Sequence, residues 1–204
     1  MTCYDSSSGD TFIVGRKYLS YCNYFNKEIA KAQSQWAKSQ YAHGIKYPKT
    51  SNHVRKFYQK KNDTINDYLH KCTRYIVSYC KCNIKTIRKD NSLGSVTNQK
   101  LHSLPYNKIY IMLEYKLAAE GICFVKQKES YSSQCSPLMP IVSKNNACRS
   151  NRVKRGLYRD GNHSWNADCV GAFNILRLYF QKNKINICLD PMEIKSPHIV
   201  KVAA

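Results

Sequence analysis

Residues 152–180 read RVKRGLYRDGNHSWNADCVGAFNILRLYF, and the rest of the chain is best understood outward from them. A basic ribbon (Arg152, Lys154, Arg155, Arg159) turns at Asp160-Gly161 and meets a lone acid, Asp168. That acid opens an apolar helix expected over 167–181, with Val170, Phe173, Leu176 and Phe180 on its core side. A carboxylate at the head of a helix is held in a fixed position and suits a divalent cation, while the cations around it suit a polyanion. Together they point to metal-dependent chemistry on nucleic acid, or to a remnant of it.

The chain has 204 residues, enough for one domain with a real core and a helical insertion. Its 33 Lys and Arg against 13 Asp and Glu give a formal charge of +20, which a compact fold tolerates best when a polyanion neutralises it. Nucleic acid is the first candidate and an anionic membrane the second. The longest apolar run, 109–113, is far short of the roughly 20 residues that a membrane span needs. The opening MTCYDSSSGD is polar and reads as neither a signal peptide nor an anchor, so no membrane partner and a cytoplasmic setting are expected. The ten cysteines include no Cys-x-x-Cys pair, and Cys80-Lys81-Cys82 is the one tight pair. They read as reduced thiols acting as small hydrophobes.

Local patterns predict an α/β chain. Thr11-Phe12-Ile13-Val14 is a short strand ending at Gly15, and 23–40 is a helix with Phe25, Ile29, Ala32 and Trp36 as its stripe. His43-Gly44 and Pro48 break it, and a longer helix follows over 51–80. Its periodic residues are Val54, Phe57, Tyr58, Ile65, Tyr68, Leu69, Cys72, Tyr75, Ile76 and Tyr79. The two helices form an antiparallel hairpin whose outer side carries Arg55, Lys56, Lys60 and Lys61. Lys85-Thr86-Ile87-Arg88 is a weak strand candidate, followed by a polar loop over 91–95. Ser103 and Pro105 start a helix that runs through Ile109, Met112, Leu113 and Leu117 to Gly121. Ile122-Cys123-Phe124-Val125 reads as a buried strand, 128–150 as irregular, and the Pro-containing tail as a surface drape.

Several blocks, in order, resemble one family. Asn166-Ala167-Asp168 with Gly171-Ala172-Phe173-Asn174-Ile175-Leu176 is similar to the last motif of the RuvC-like nuclease domain in TnpB proteins, the RNA-guided DNA endonucleases of insertion sequences. Blocks beginning at Gly15, Asn26 and Asp67 resemble the helical hairpin and its entry. Those beginning at Met112, Glu120, Glu129 and Val153 resemble the segments before the last motif. The resemblance covers most of 12–180 and implies a partial RNase H-like (RuvC) mixed sheet flanked by helices, with the hairpin as an insertion. It divides the chain into a residual strand region (1–21), the basic hairpin (22–82), a C-terminal RuvC-like part without a zinc ribbon (83–182) and a tail (183–204).

The resemblance also implies a site of three acids holding two Mg²⁺ ions. Asp168 matches the third acid. The second is Glu129, in the Glu-Ser-Tyr block, or Asp90 after the 85–88 segment, whereas Glu114 reads as a solvated helix residue. The first acid belongs to a Gly-Ile-Asp-Leu-Gly-like strand that nothing here matches and that family order puts upstream of Tyr4; Asp5 and Asp10 lie nearby but outside any apolar run. Cys135 and Cys148 stand alone where many relatives carry paired zinc ligands, so no zinc is expected, and Cys169-Val170 replaces a usual Val-Asn pair. DNA and a guide RNA are the implied partners, with phosphates followed by Arg55, Lys56, Lys60, Lys61, Lys154, Arg155 and Arg159. Some of the 16 Tyr can offer stacking surfaces to bases. The expectation is the nucleic-acid-binding part of a TnpB-type endonuclease, inactive alone for want of the first acid. The alternative is a silent RNA- or DNA-binding regulator of the parent element.

Overall fold

Strand alternation organises the first sheet. The computed structural model describes residues 1–83, 105–154 and 156–202. It is mixed α/β, with four α-helices, one three-stranded sheet and one two-stranded sheet among those residues. It divides into two compact units, one of Met1–Val14 with Tyr79–Lys201, the other built on Gly15–Ser78.

In the first unit β1 (Thr2–Tyr4) pairs antiparallel with β2 (Thr11–Ile13), and β2 pairs parallel with β5 (His198–Ile199). Successive side chains leave a strand on opposite sides. The partners Tyr4 and Thr11 therefore face one way and the partners Cys3 and Phe12 the other. Tyr4 meets Phe173 of α4 (Ala167–Lys182) edge-on, with ring centroids 5.3 Å apart. Phe12 meets Tyr79, in the last turns of α2 (Asn52–Asn83), at 4.7 Å. Burial pushes the Cys3 thiol up to about 12, so it packs as a neutral hydrophobe.

The tail corrects the expectation of a surface drape. Ile194 is buried in the core cluster with Trp165, Val170 and Phe173, and β5 supplies an edge strand. Thr11 Oγ1 donates to the Lys195 carbonyl at 2.6 Å, and Val200 N donates to Ile13 O at 2.9 Å. Alternation alone could not reveal β5, because both of its residues are exposed and it is two residues long. Gly9 makes this approach possible: its φ is +68°, and a Cβ there would run into the carbonyl oxygen of Glu193. The turn between β1 and β2 is closed by Asp5, whose carboxylate accepts from Ser7 N, Ser7 Oγ, Ser8 Oγ and the Tyr79 hydroxyl.

The second unit is the hairpin. α1 (Tyr18–Ala42) begins five residues earlier than its apolar stripe predicts, and the remainder of α2 returns beside it. Tyr21 packs on Tyr68, Lys61 Nζ donates to Asn26 Oδ1, and Gln33 Nε2 donates to Tyr58 OH. These pairings step forward along α1 as they step backward along α2, which makes the helices antiparallel. Phe25, Ile29, Ala32, Val54, Tyr68, Leu69, Cys72 and Ile76 are buried as the periodicity requires. Val77 is also buried, while Trp36 and Tyr58 are exposed.

α3 (Tyr106–Ala119) buries Ile109, Met112, Leu113 and Leu117 as predicted. The strand expected at 122–125 is absent: that segment is irregular, and Val125 is exposed. Gly121 takes a left-handed φ of 71°, and Ile122 N bonds back to Leu117 O, so the chain doubles back at the helix end. Phe124 then lies by Tyr110 of α3, with ring centroids 6.2 Å apart, and a short apolar run is satisfied without a sheet. Beyond it the irregular stretch leads to the hairpin of β3 (Tyr158–Asp160) and β4 (His163–Trp165), turning at Gly161 with φ +53°. The expectations at 85–88, 91–95 and Ser103 lie outside the described residues.

Gly9→Ala is expected to destabilise the chain by about 1–3 kcal/mol, through the strained φ and the contact with Glu193, measured as a lower urea midpoint. Partial burial pushes the Asp5 carboxyl upward, but the hydrogen bonds from Ser7, Ser8 and Tyr79 outweigh it and leave it below the usual carboxylate range. A depressed folded-state value stabilises above the unfolded value of about 3.9 and is lost as pH falls through the lower folded one. Asp5→Asn is accordingly expected to flatten the acid limb of a stability–pH profile below about pH 4, while removing stability near neutrality.

Candidate nucleic-acid interface and the Asp168 site

Asp168 sits in the first turn of α4, directly after a well-made cap. Asn166 Oδ1 accepts from the backbone N–H groups of Asp168 and Cys169 at 2.9 and 3.3 Å. Ala167, Cys169 and Val170 point into the core, which leaves Asp168 on the outward side with its side chain 52% exposed. There it accepts from Arg152 Nη2 at 3.2 Å. The ribbon that precedes the helix thus reaches back and partly neutralises its acid, and the helix N-terminus favours the same negative charge.

Glu129 lies in the turn that leads to Cys135, and it is exposed. Its carbonyl accepts from Ser132 N and Ser132 Oγ, so its backbone closes the turn. That turn is anchored to α4 through Asn174, six residues beyond Asp168, whose side-chain nitrogen donates to the carbonyls of Ser132 and Cys135 at 2.8 Å each. Six residues along a helix is a rise of about 9 Å and more than one and a half turns, so the anchor and Asp168 sit on different sides of α4. Glu114 pairs with Lys126 at 3.4 Å, Asp10 with Lys195 at 2.7 Å, and Asp5 is occupied in its turn. Asp90 lies outside the described residues.

Mg²⁺ wants several oxygen ligands in near-octahedral geometry. Among the described residues no group of three His, Cys, Asp or Glu side chains comes together. Asp168 offers one exposed carboxylate already paired with a guanidinium. This donor set does not fit a two-ion centre, and no step is derived through one. All ten cysteines are free thiols, with Cys72, Cys135 and Cys169 buried. Cys135 Sγ donates to Ser143 O at 3.2 Å, inside a loop closed by its bridge to Ala147.

The predicted phosphate contacts divide by environment. Arg55, Lys56 and Lys60 are exposed on α2, with Lys56 and Lys60 one turn apart, whereas Lys61 is half-buried and engaged with Asn26. Lys154 and Arg159 are exposed on the ribbon; Arg155 lies outside the described residues. Between Glu28 and Asp63 the sequence has eight Lys and Arg and no acid. Such a stretch cannot neutralise itself locally, which is the footprint of a polyanion-binding surface.

Sequence reasoning passed over Arg177. Its guanidinium lies over Phe173, 5.7 Å from the ring centroid, and donates to Asn174 Oδ1 at 2.8 Å and to the carbonyls of Ser136 and Met139. Burial pulls its pKa down, and the carbonyl oxygens supply what solvent no longer can. The signal was the pair Asn174 and Arg177, two polar residues three apart within the otherwise apolar stretch 169–180.

Two family comparisons bear on this arrangement. Residues 1–93 match the OrfB_IS605 family model, described as "probable transposase", and residues 106–175 match the Cas12f1-like TNB domain model. The first match takes in β1, β2 and the basic hairpin; the second runs from α3 through the motif headed by Asp168. Together they define a transposase-like protein, and such a family deals with nucleic acid. The chain belongs to the TnpB family of insertion-sequence transposase-like proteins. No curated protein and no solved structure matches it.

Asn174→Ala leaves two carbonyls without their donor beside a buried helix, and is expected to cost about 1–3 kcal/mol in urea unfolding. Asn174→Asp keeps the shape but sets acceptor against acceptor, and is expected to cost more.

Proposed function

We propose that this chain is the nucleic-acid-binding, RuvC-like part of a TnpB-type RNA-guided DNA endonuclease, and that by itself it binds RNA or DNA without cutting it. The observation that carries the reading is the acid-free stretch between Glu28 and Asp63, whose exposed Arg55, Lys56 and Lys60 project from one long helix. A row of cations with no opposing acids gains most from phosphates, because each contact releases condensed counterions. The silence in cleavage rests on Asp168. Its carboxylate is held by Arg152, and no second and third acid join it among the described residues. A two-metal hydrolysis needs that cluster, since one ion activates water and the other steadies the leaving oxygen.

α4 is fixed by its buried side, its first turn presents Asp168 outward to Arg152 of the ribbon, and the ribbon adds Lys154 and Arg159. The ribbon cations and the hairpin cations each contact backbone phosphates, which gives affinity without reading bases. The no-membrane expectation has a narrower counterpart: no helix among the described residues is long and apolar enough to cross a membrane.

Fluorescence anisotropy with labelled RNA and DNA tests the binding. Affinity is expected to fall steeply with salt, and the double variant Lys56→Ala/Lys60→Ala to make the log–log salt slope shallower by about 2. Absence of binding at low salt would refute the reading. Incubation of the purified chain with Mg²⁺ and DNA is expected to leave the DNA intact; cleavage that disappears in Asp168→Ala would overturn the silent assignment.

A further inference from the structure

The tip of the hairpin exposes aromatic rings where an ordinary helical turn would be polar. Tyr47 is 89% exposed and Tyr41 58%, and Trp36 and Ile45 are exposed as well. These rings are set on a braced loop. Trp36 Nε1 donates to the Lys49 carbonyl at 2.7 Å, Ile45 N donates to Gln40 O at 3.0 Å, and the His43 ring bonds Ser39 O at 2.7 Å. Gly44, with φ +79°, makes the reversal, and Tyr47 lies in the bend just before Pro48. Lys38, Lys46 and Lys49 are exposed among the rings.

We infer that this tip is a stacking platform for unpaired nucleotides, with Tyr41 and Tyr47 as base-stacking rings and Lys38, Lys46 and Lys49 as phosphate contacts. The inference rests on the nucleic-acid reading above and adds the form of nucleic acid the hairpin prefers. Rings offer every base a flat partner, but a base inside a duplex has no free surface to give, so exposed aromatics interleaved with cations select single strands. A second copy of the chain is a poor occupant, because it would bring more positive charge to a site with no acid of its own. An anionic membrane is less suited too, since Ser39, Gln40, His43 and Thr50 interrupt the rings and leave no continuous apolar surface to insert.

The test uses the full chain with labelled oligouridine, oligothymidine and a duplex of equal length. Tyr41→Ala and Tyr47→Ala are each expected to weaken single-strand binding by about 5- to 150-fold, as loss of a stacked ring does elsewhere. Duplex affinity should stay within about 2-fold, and the salt slope should not move, because no phosphate contact is removed. Tyr47→Phe should retain binding. A loss on either single strand sustains the inference. Unchanged single-strand affinity, or an equal loss on duplex, would overturn it while leaving general binding intact. Tyr47-dependent capture by phosphatidylserine vesicles without a loss on single strands would reassign the tip to a membrane. Failure of the unaltered chain to bind any of the three probes would instead sink the underlying reading. Tyr47 is nearly all in solvent, so its variants keep the native fold.

Discussion

The buried amide of Asn174 is the interaction around which the larger unit is assembled. Its nitrogen ties down the carbonyls of Ser132 and Cys135, and its oxygen receives Arg177. α4 is thereby fixed to the irregular 129–139 segment on one side while Phe173 presses against Tyr4 of β1 on another. An unpaired buried amide or carbonyl would cost more than an ordinary hydrogen bond gains, so this network holds as a unit or not at all. The ion pairs contribute little by comparison. All six found among the described residues have at least one partner well exposed to solvent, where such pairs give about 0–1 kcal/mol each. A chain with this much excess positive charge is held together by its apolar clusters and its buried amide.

That division explains how Asp168 is held at the head of α4. Asp168 is placed by the cap of Asn166 and by the burial of its neighbours, none of which depends on a bound ion. Arg152 supplies the compensating charge from the ribbon. Family membership and local geometry therefore carry different information. The first says which lineage the chain comes from, and the second says what its acid now touches.

The hairpin was readable from the sequence because a long 3.6-residue period leaves one arrangement for Phe25, Ile29, Ala32, Val54 and Leu69. α4 was readable for the same reason, with the Asp160-Gly161 turn and Asp168 marking its approach. The errors came where the signal was four residues or fewer. The run at 122–125 reads as a strand by composition, yet an apolar segment after a left-handed Gly121 can satisfy itself against its own helix. β1 and β5 are too short to show alternation, β5 being exposed as well, and the sheet forms from backbone pairing and from the space that Gly9 leaves for Glu193. The candidate acids were identified as residue types, but whether Asp5 closes a turn or Glu114 meets a lysine depends on neighbours distant in the sequence. Arg177 was missed because a cation within an apolar stripe is normally read as its solvent edge.

The parallel pairing of β2 with β5 joins Phe12 to His198 and Ile13 to Ile199, from nearly opposite ends of the chain. Two parallel neighbours separated by most of the sequence cannot meet until almost everything between them has been synthesised and gathered. During translation the hairpin, whose contacts are local, can assemble early, while the first sheet waits as an unfinished edge for its last strand. A nascent chain halted before residue 198 would expose β2 as a template for pairing with another polypeptide, and the rate of reaching the native state would be set by closing that one long circuit.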